Sequence, residues 1–143
     1  MFRKINDTLY VSPQIGLDEV AAAKAQGVAL IINNRPEGET DDQVPGEAIE
    51  AAARAAGMDY VAIPVTHAGF SEWQVKAMAD ALGSAKGPVL AYCRSGTRST
   101  LLWSLAAASE GGNPDSIAES AAGAGYDIAP VRALVDMLAT GGD

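Results

Sequence analysis

Val89-Leu90-Ala91-Tyr92-Cys93-Arg94-Ser95-Gly96-Thr97-Arg98-Ser99 carries the only cysteine of the chain out of a short apolar run and into a polar, glycine-bearing loop. Gly87 and Pro88 punctuate the chain just before it, so Val89 to Tyr92 read as a buried strand. From Ser99 to Ser109 the apolar positions Leu101, Leu102, Leu105 and Ala108 fall at helical spacing. Strand, loop and helix therefore follow without a gap. In that geometry the loop amides and the positive end of the helix dipole converge on one point, which favours an anion.

A thiol at that point ionises readily, because a helix N-terminus and a neighbouring guanidinium each favour thiolate over thiol. Cys93 is thus a candidate nucleophile, and Arg98 is placed to grip an oxyanion with its planar fork. A lone cysteine at a strand end is often only a small core residue. Here Arg94, Ser95, Thr97, Arg98 and Ser99 make a poor apolar setting, and Gly96 permits the backbone turn that an inward-facing amide nest requires. Arg94 is the weaker of the two arginines, with a solvent-facing position as its ordinary explanation.

With 143 residues, 48% of them hydrophobic, the chain can bury one core, and a single domain over 1–143 is expected. Its net charge of −8 argues against nucleic acid or an anionic membrane as the main partner. Any anion site must then be local. One cysteine cannot form an internal disulfide, the start Met1 to Asp7 reads as folded structure, and no apolar run approaches bilayer-spanning length. A soluble, reducing compartment, the cytoplasm, is the expected location.

The rest of the chain alternates. Arg3 to Ile5 and Thr8 to Val11 read as short strands around an Asn6-Asp7 turn, and Leu17 to Gln26 as a helix ended by Gly27. Val28 to Asn33 is an apolar strand, Asn34 to Gly46 an exposed acidic loop, Glu47 to Ala56 a helix, and Tyr60 to Val65 a strand. Ser71 with Gln74 is a capping-box pattern opening a helix to about Leu82, whose buried side would carry Trp73, Ala77 and Ala81. Asn113 as cap and Pro114 at the first helical position open another helix, and a last one follows Pro130. Trp103 reads as packing.

This order implies an α/β fold with a mostly parallel central sheet flanked by helices. In such sheets ligands bind beyond the carboxyl ends of the strands. The segments there hold Asn33, Asn34 and Arg35, then Thr66 and His67, then the cysteine loop. His67, the only histidine, is a candidate proton donor or substrate-orienting group, with an ordinary loop histidine as the alternative. Arg35 either adds a second anion contact or pairs with Glu37, Glu39, Asp41 or Asp42 of its own loop. Those acids could supply a general acid if the loop folds back, Asp42 among them, although adjacent acidic residues usually mark a solvated loop.

Ile31-Ile32-Asn33-Asn34-Arg35-Pro36, the Ile63-Pro64-Val65 strand end, Tyr92 to Ser99 continuing to Trp103, and Gly125-Tyr126-Asp127 together resemble the phosphatase-like domain at the N-terminus of beta-lactamase-hydrolase-like proteins. That family is a bacterial relative of the cysteine-dependent tyrosine and dual-specificity phosphatases, and its members occur alone or fused to a metallo-hydrolase domain linked with sulfide handling. The resemblance implies a tyrosine/dual-specificity-phosphatase-like fold and a phosphorylated or other oxyanion substrate. Cys93 would attack phosphorus, the segment Arg94, Ser95, Gly96, Thr97 and Arg98 would hold the phosphoryl oxygens with Arg98 as clamp, and Ser99 would hydrogen-bond the thiolate as it leaves. Such chemistry requires no metal and no other cofactor.

The chain departs from the phosphatase signature in two places. Only Arg94, Ser95, Gly96 and Thr97 separate Cys93 from Arg98, whereas the signature has five intervening residues. After Ile63-Pro64-Val65, Thr66 and His67 stand where dual-specificity phosphatases often carry an aspartate general acid. Either His67 substitutes for it, or the leaving group departs unaided, as a phenolate can. Cys-Arg-Ser-Gly-x-Arg-Ser is also typical of rhodanese-like domains, in which the cysteine carries a persulfide, and the short spacing favours that alternative. Nothing after Ser109 matches the usual rhodanese continuation, since Gly111-Gly112 leads into Asn113-Pro114. A module that binds phosphate without turnover is the third possibility.

Overall fold

The computed structural model describes residues 2–141. β1 (Arg3–Asn6) and β2 (Leu9–Ser12) are followed by α1 (Leu17–Ala25), β3 (Leu30–Asn33), α2 (Gly46–Ala55) and β4 (Asp59–Ala62). Then come α3 (Glu72–Ser84), β5 (Val89–Tyr92), α4 (Thr97–Ser109), α5 (Pro114–Gly123) and α6 (Arg132–Ala139). The sheet runs β1-β2-β5-β3-β4, antiparallel between β1 and β2 and parallel elsewhere. The mostly parallel α/β architecture expected from the alternation is thus the one observed.

Side-chain alternation along the strands builds two cores. Leu9, Val11, Leu30, Ile32, Val89 and Ala91 face one side with α4, while Ile31, Leu90 and Tyr92 face the other with Val20, Ala23, Ile49 and Ala53 of α1 and α2. β5 lies in the middle of the sheet. α4 runs beneath it as the central helix, with Ser99 to Ala106 all buried. The loop that joins them is therefore mounted on the two most enclosed elements of the fold.

Register sets where the site lies. Tyr92 pairs with Ser12 on one side and Asn33 on the other, and Asn33 pairs with Ala62. Cys93, Asn34 and Ile63 consequently leave the sheet at one edge. β4 ends at Ala62, short of the expected Val65, because the register breaks there: the Ile63 and Val65 amides still donate at 2.9 Å, but to the carbonyls of adjacent residues, Asn33 and Asn34. Similarly, β3 begins at Leu30 because the amide of Val28 bonds back to Ala23 of α1.

Two expectations require correction. Trp73 is 57% exposed, whereas Gln74 and Met78 form the buried side of α3. Gln74 accepts from the Ser71 amide at 2.7 Å and donates to the Pro64 carbonyl at 2.9 Å, which turns the preceding position outward. The segment after β3 is not a simple exposed loop either, because Asn34 and Arg35 are buried. Asn34 donates to the Ile63 carbonyl, and Arg35 is enclosed by partners described below. The Asn113 cap holds as expected, accepting from the Ser116 amide at 3.0 Å ahead of Pro114, and Trp103 packs in the core.

Candidate active site

Cys93 is fully buried where β5 ends, with its amide on the Ser12 carbonyl. Its sulfur accepts a hydrogen bond from the Gly96 amide at 3.1 Å. Gly96 is the N-cap of α4 and adopts φ 91°, a left-handed conformation that glycine takes without strain. That turn aims the amide back at the sulfur. The amides of Arg94 and Ser95 find no acceptor among the described residues. The hydroxyls of Ser95 and Thr97 bond each other at 3.0 Å, and Ser95 Oγ also caps the Thr97 amide.

Arg98, in the first turn of α4, spends one edge of its guanidinium on the protein. Nη1 donates to Glu39 Oε2 and to the Val65 carbonyl, both at 2.7 Å, and Nη2 donates to Glu39 Oε1 at 2.8 Å. Its Nε makes no hydrogen bond among the described residues. The Glu39 carboxylate pushes Arg98 above its ordinary value, partial burial opposes the rise, and the neighbouring Cys93 adds to it.

Glu39 binds two arginines at once. Besides Arg98, it accepts from Arg35 Nε at 2.8 Å. Its carboxyl falls from 4.5 to about 2, chiefly through the Arg98 hydrogen bond, with burial acting against the fall and Arg35 assisting it. Arg35 is itself buried and committed, donating also to Gln14 Oε1 at 2.9 Å and Thr40 Oγ1 at 3.2 Å. Of the two roles open to Arg35, pairing within its own loop is therefore the one this geometry displays. It reaches the site through Glu39.

A cleft of about 460 Å³ opens over these groups, lined by Pro36, Glu37, Gly38, Glu39, Thr66, His67, Arg94 and Arg98. His67 and Arg94 are exposed along it, and neither side chain makes a hydrogen bond among the described residues. Ser99 is fully buried and its hydroxyl has no partner among the described residues, so the expected bond to the Cys93 sulfur is not formed in this arrangement. Asp42 is exposed, and the Thr40 hydroxyl donating to it at 2.8 Å holds its carboxyl below the ordinary value. A larger groove of about 610 Å³ between α3 and α6 holds no cysteine, histidine or arginine.

The family described as beta-lactamase hydrolase-like protein, phosphatase-like domain, matches residues 1–110. The chain belongs to this family. A beta-lactamase hydrolase-like protein of Agrobacterium fabrum is 38% identical over 108 residues, covering 76% of this chain but 25% of the relative. The chain thus spans about a quarter of the length of the curated relatives it matches. Among solved structures, a candidate phosphatase from Neisseria meningitidis is 34% identical, with a TM-score of 0.83 over 95% of this chain and 96% of that one. TpbA of P. aeruginosa, solved as a cysteine-to-serine variant with phosphotyrosine, shares the fold at a TM-score of 0.68 and 18% identity, over 99% of this chain and 89% of that one. The tyrosine-phosphatase-like fold expected of a beta-lactamase hydrolase-like phosphatase domain is the fold this chain has.

Two contacts in this phosphatase-like domain are not legible in the sequence. Glu39 as the holder of Arg98 joins residues from opposite halves of the chain. Tyr126, whose hydroxyl donates to the Ser95 carbonyl at 3.0 Å, lies outside the residues that the family matches.

Proposed function

We propose that this domain is a cysteine-dependent phosphomonoester hydrolase. The observation that carries this reading is the pairing of a sulfur held by a loop amide with an arginine fixed on one edge by Glu39. The Cys93 thiolate attacks phosphorus in line with the ester oxygen. The P–O ester bond breaks as the S–P bond forms. Arg98 Nε and Nη2, with the amides of Arg94 and Ser95, stabilise the charge spread over the equatorial oxygens. Water then attacks the phosphocysteine, releasing phosphate and restoring the thiolate.

Glu39 is a poor proton donor for this reaction, since it is ionised and bound by two arginines. Asp42 is likewise held toward its ionised form. His67, in the same cleft, is the group we assign to protonating the leaving oxygen. An aryl phosphate places the least demand on that donor, and the phosphotyrosine held by TpbA on the same fold supports an aryl substrate. Ser99 is assigned to the second step, its unpartnered hydroxyl turning to the sulfur as the S–P bond breaks.

The test is phosphate release from an aryl phosphate between pH 5 and 8 by the wild-type protein and by Cys93→Ser at matched folding. Release that disappears in the variant supports the reading. Equal release from both proteins overturns it.

A further inference from the structure

The cysteine loop is fastened from outside by a residue of the C-terminal segment. The Tyr126 hydroxyl donates to the Ser95 carbonyl at 3.0 Å, while the amide of the same peptide unit, that of Gly96, donates to Cys93 Sγ at 3.1 Å. In a planar trans peptide the C=O and N–H point in opposite directions, so holding one fixes the other. We propose that Tyr126 is a positioning residue that locks the Ser95–Gly96 peptide with its N–H directed at the Cys93 sulfur.

The surroundings agree with a built contact. A Cβ placed on Gly96 would overlap the Tyr126 hydroxyl, so the approach of the phenol to the loop requires glycine there. The ring is held in turn by Arg3 of β1, whose guanidinium lies 5.5 Å from the ring centroid and donates to the Ala124 carbonyl at 3.0 Å. β1, the turn after α5 and the cysteine loop are thereby joined. The role rests on reading Cys93 as a working thiolate, but it concerns the stability of that thiolate rather than the reaction it performs.

Without the hydroxyl, the Ser95 carbonyl has no other hydrogen bond among the described residues and the peptide is free to turn, weakening the amide bond to sulfur. Tyr126→Phe removes the hydroxyl and retains the ring that packs on Gly96 and Arg3. The measurement is the rate of iodoacetamide alkylation of Cys93 against pH. Arg98 from α4, Glu39 behind it, and Arg94 and His67 along the cleft are common to both proteins, so a change in midpoint reports the hydroxyl. The expected result is a midpoint higher by roughly half to one pH unit, with alkylation about three- to tenfold slower below it. An unchanged midpoint overturns the proposal.

A second measurement uses the wild-type protein alone. The Gly96 amide proton resonance should move across the same pH range as alkylation, and an amide that does not respond overturns the proposal without any variant. Aryl phosphate turnover is measured alongside. A wild-type protein that alkylates as described but releases no phosphate refutes the hydrolase reading, and the alkylation midpoint still decides the role of Tyr126.

Discussion

Replacing Glu39 with glutamine keeps the size of the side chain and removes the charge that Arg35 and Arg98 share. Lowering the carboxyl from 4.5 to about 2 corresponds to roughly 3 kcal/mol of stability carried by the ionised form. The folded value lies below the unfolded one. This stability is therefore fully present above about pH 4.5 and is lost as pH falls toward 2. Solvent takes part of it, because Glu39 and Arg98 are 18% and 20% exposed. Removing one member of such a pair also strands the other charges, above all that of Arg35, which is only 4% exposed.

The expected loss for Glu39→Gln at pH 7 is about 2 to 3 kcal/mol, read as a fall of roughly 6 to 12 °C in melting temperature. Urea unfolding at a series of pH values separates charge from shape. The gap between the two proteins should close as pH falls from 5 toward 2, since the wild-type carboxylate is protonated there while glutamine does not titrate. A variant as stable as the wild type at pH 7, or a gap that stays constant down to pH 2, refutes the reasoning.

Arg98→Lys should reduce turnover of an aryl phosphate by roughly 100- to 1,000-fold, because lysine keeps the charge but loses the fork, while Arg94→Ala should cost less than about tenfold. Steady-state kinetics of the two variants checks this, and equal losses would count against the assigned clamp. For His67→Ala, kcat measured over a series of substrates should fall more steeply as the leaving group becomes more basic, with little change for an activated phenolate. The same proportional loss across the series would remove His67 as the proton donor.

Much of this arrangement is written locally, and the remainder is not. The strand, loop and helix around Cys93 are legible because a four-residue apolar run, a glycine at the turn and a helical period are all neighbours in sequence. Asn113-Pro114 opens α5 for the same reason, through a cap that bonds three residues ahead. Trp73 misleads because the apolar spacing of α3 admits more than one inward side, and the bond of Gln74 to Pro64, made by a polar residue, decides between them. Arg35 stands open between two roles in the sequence because its partner Gln14 is 21 residues away and meets it only in the folded chain. The bonds of Glu39 to Arg98 and of Tyr126 to Ser95 span 59 and 31 residues, and no short-range pattern encodes either. Both depend on the register of the parallel strands and the packing of α4, which only the assembled fold supplies.

In the proposed reaction phosphorus passes through sulfur. The most direct test is rapid acid quenching of the wild-type protein during turnover of a radiolabelled aryl phosphate, followed by mapping of the labelled peptide. Label should be bound through Cys93, released by iodine as expected of a phosphothiol, and absent from Cys93→Ser. Phosphate release from the wild-type protein with label on another residue, or with label that persists in the serine variant at the wild-type rate of turnover, would contradict it.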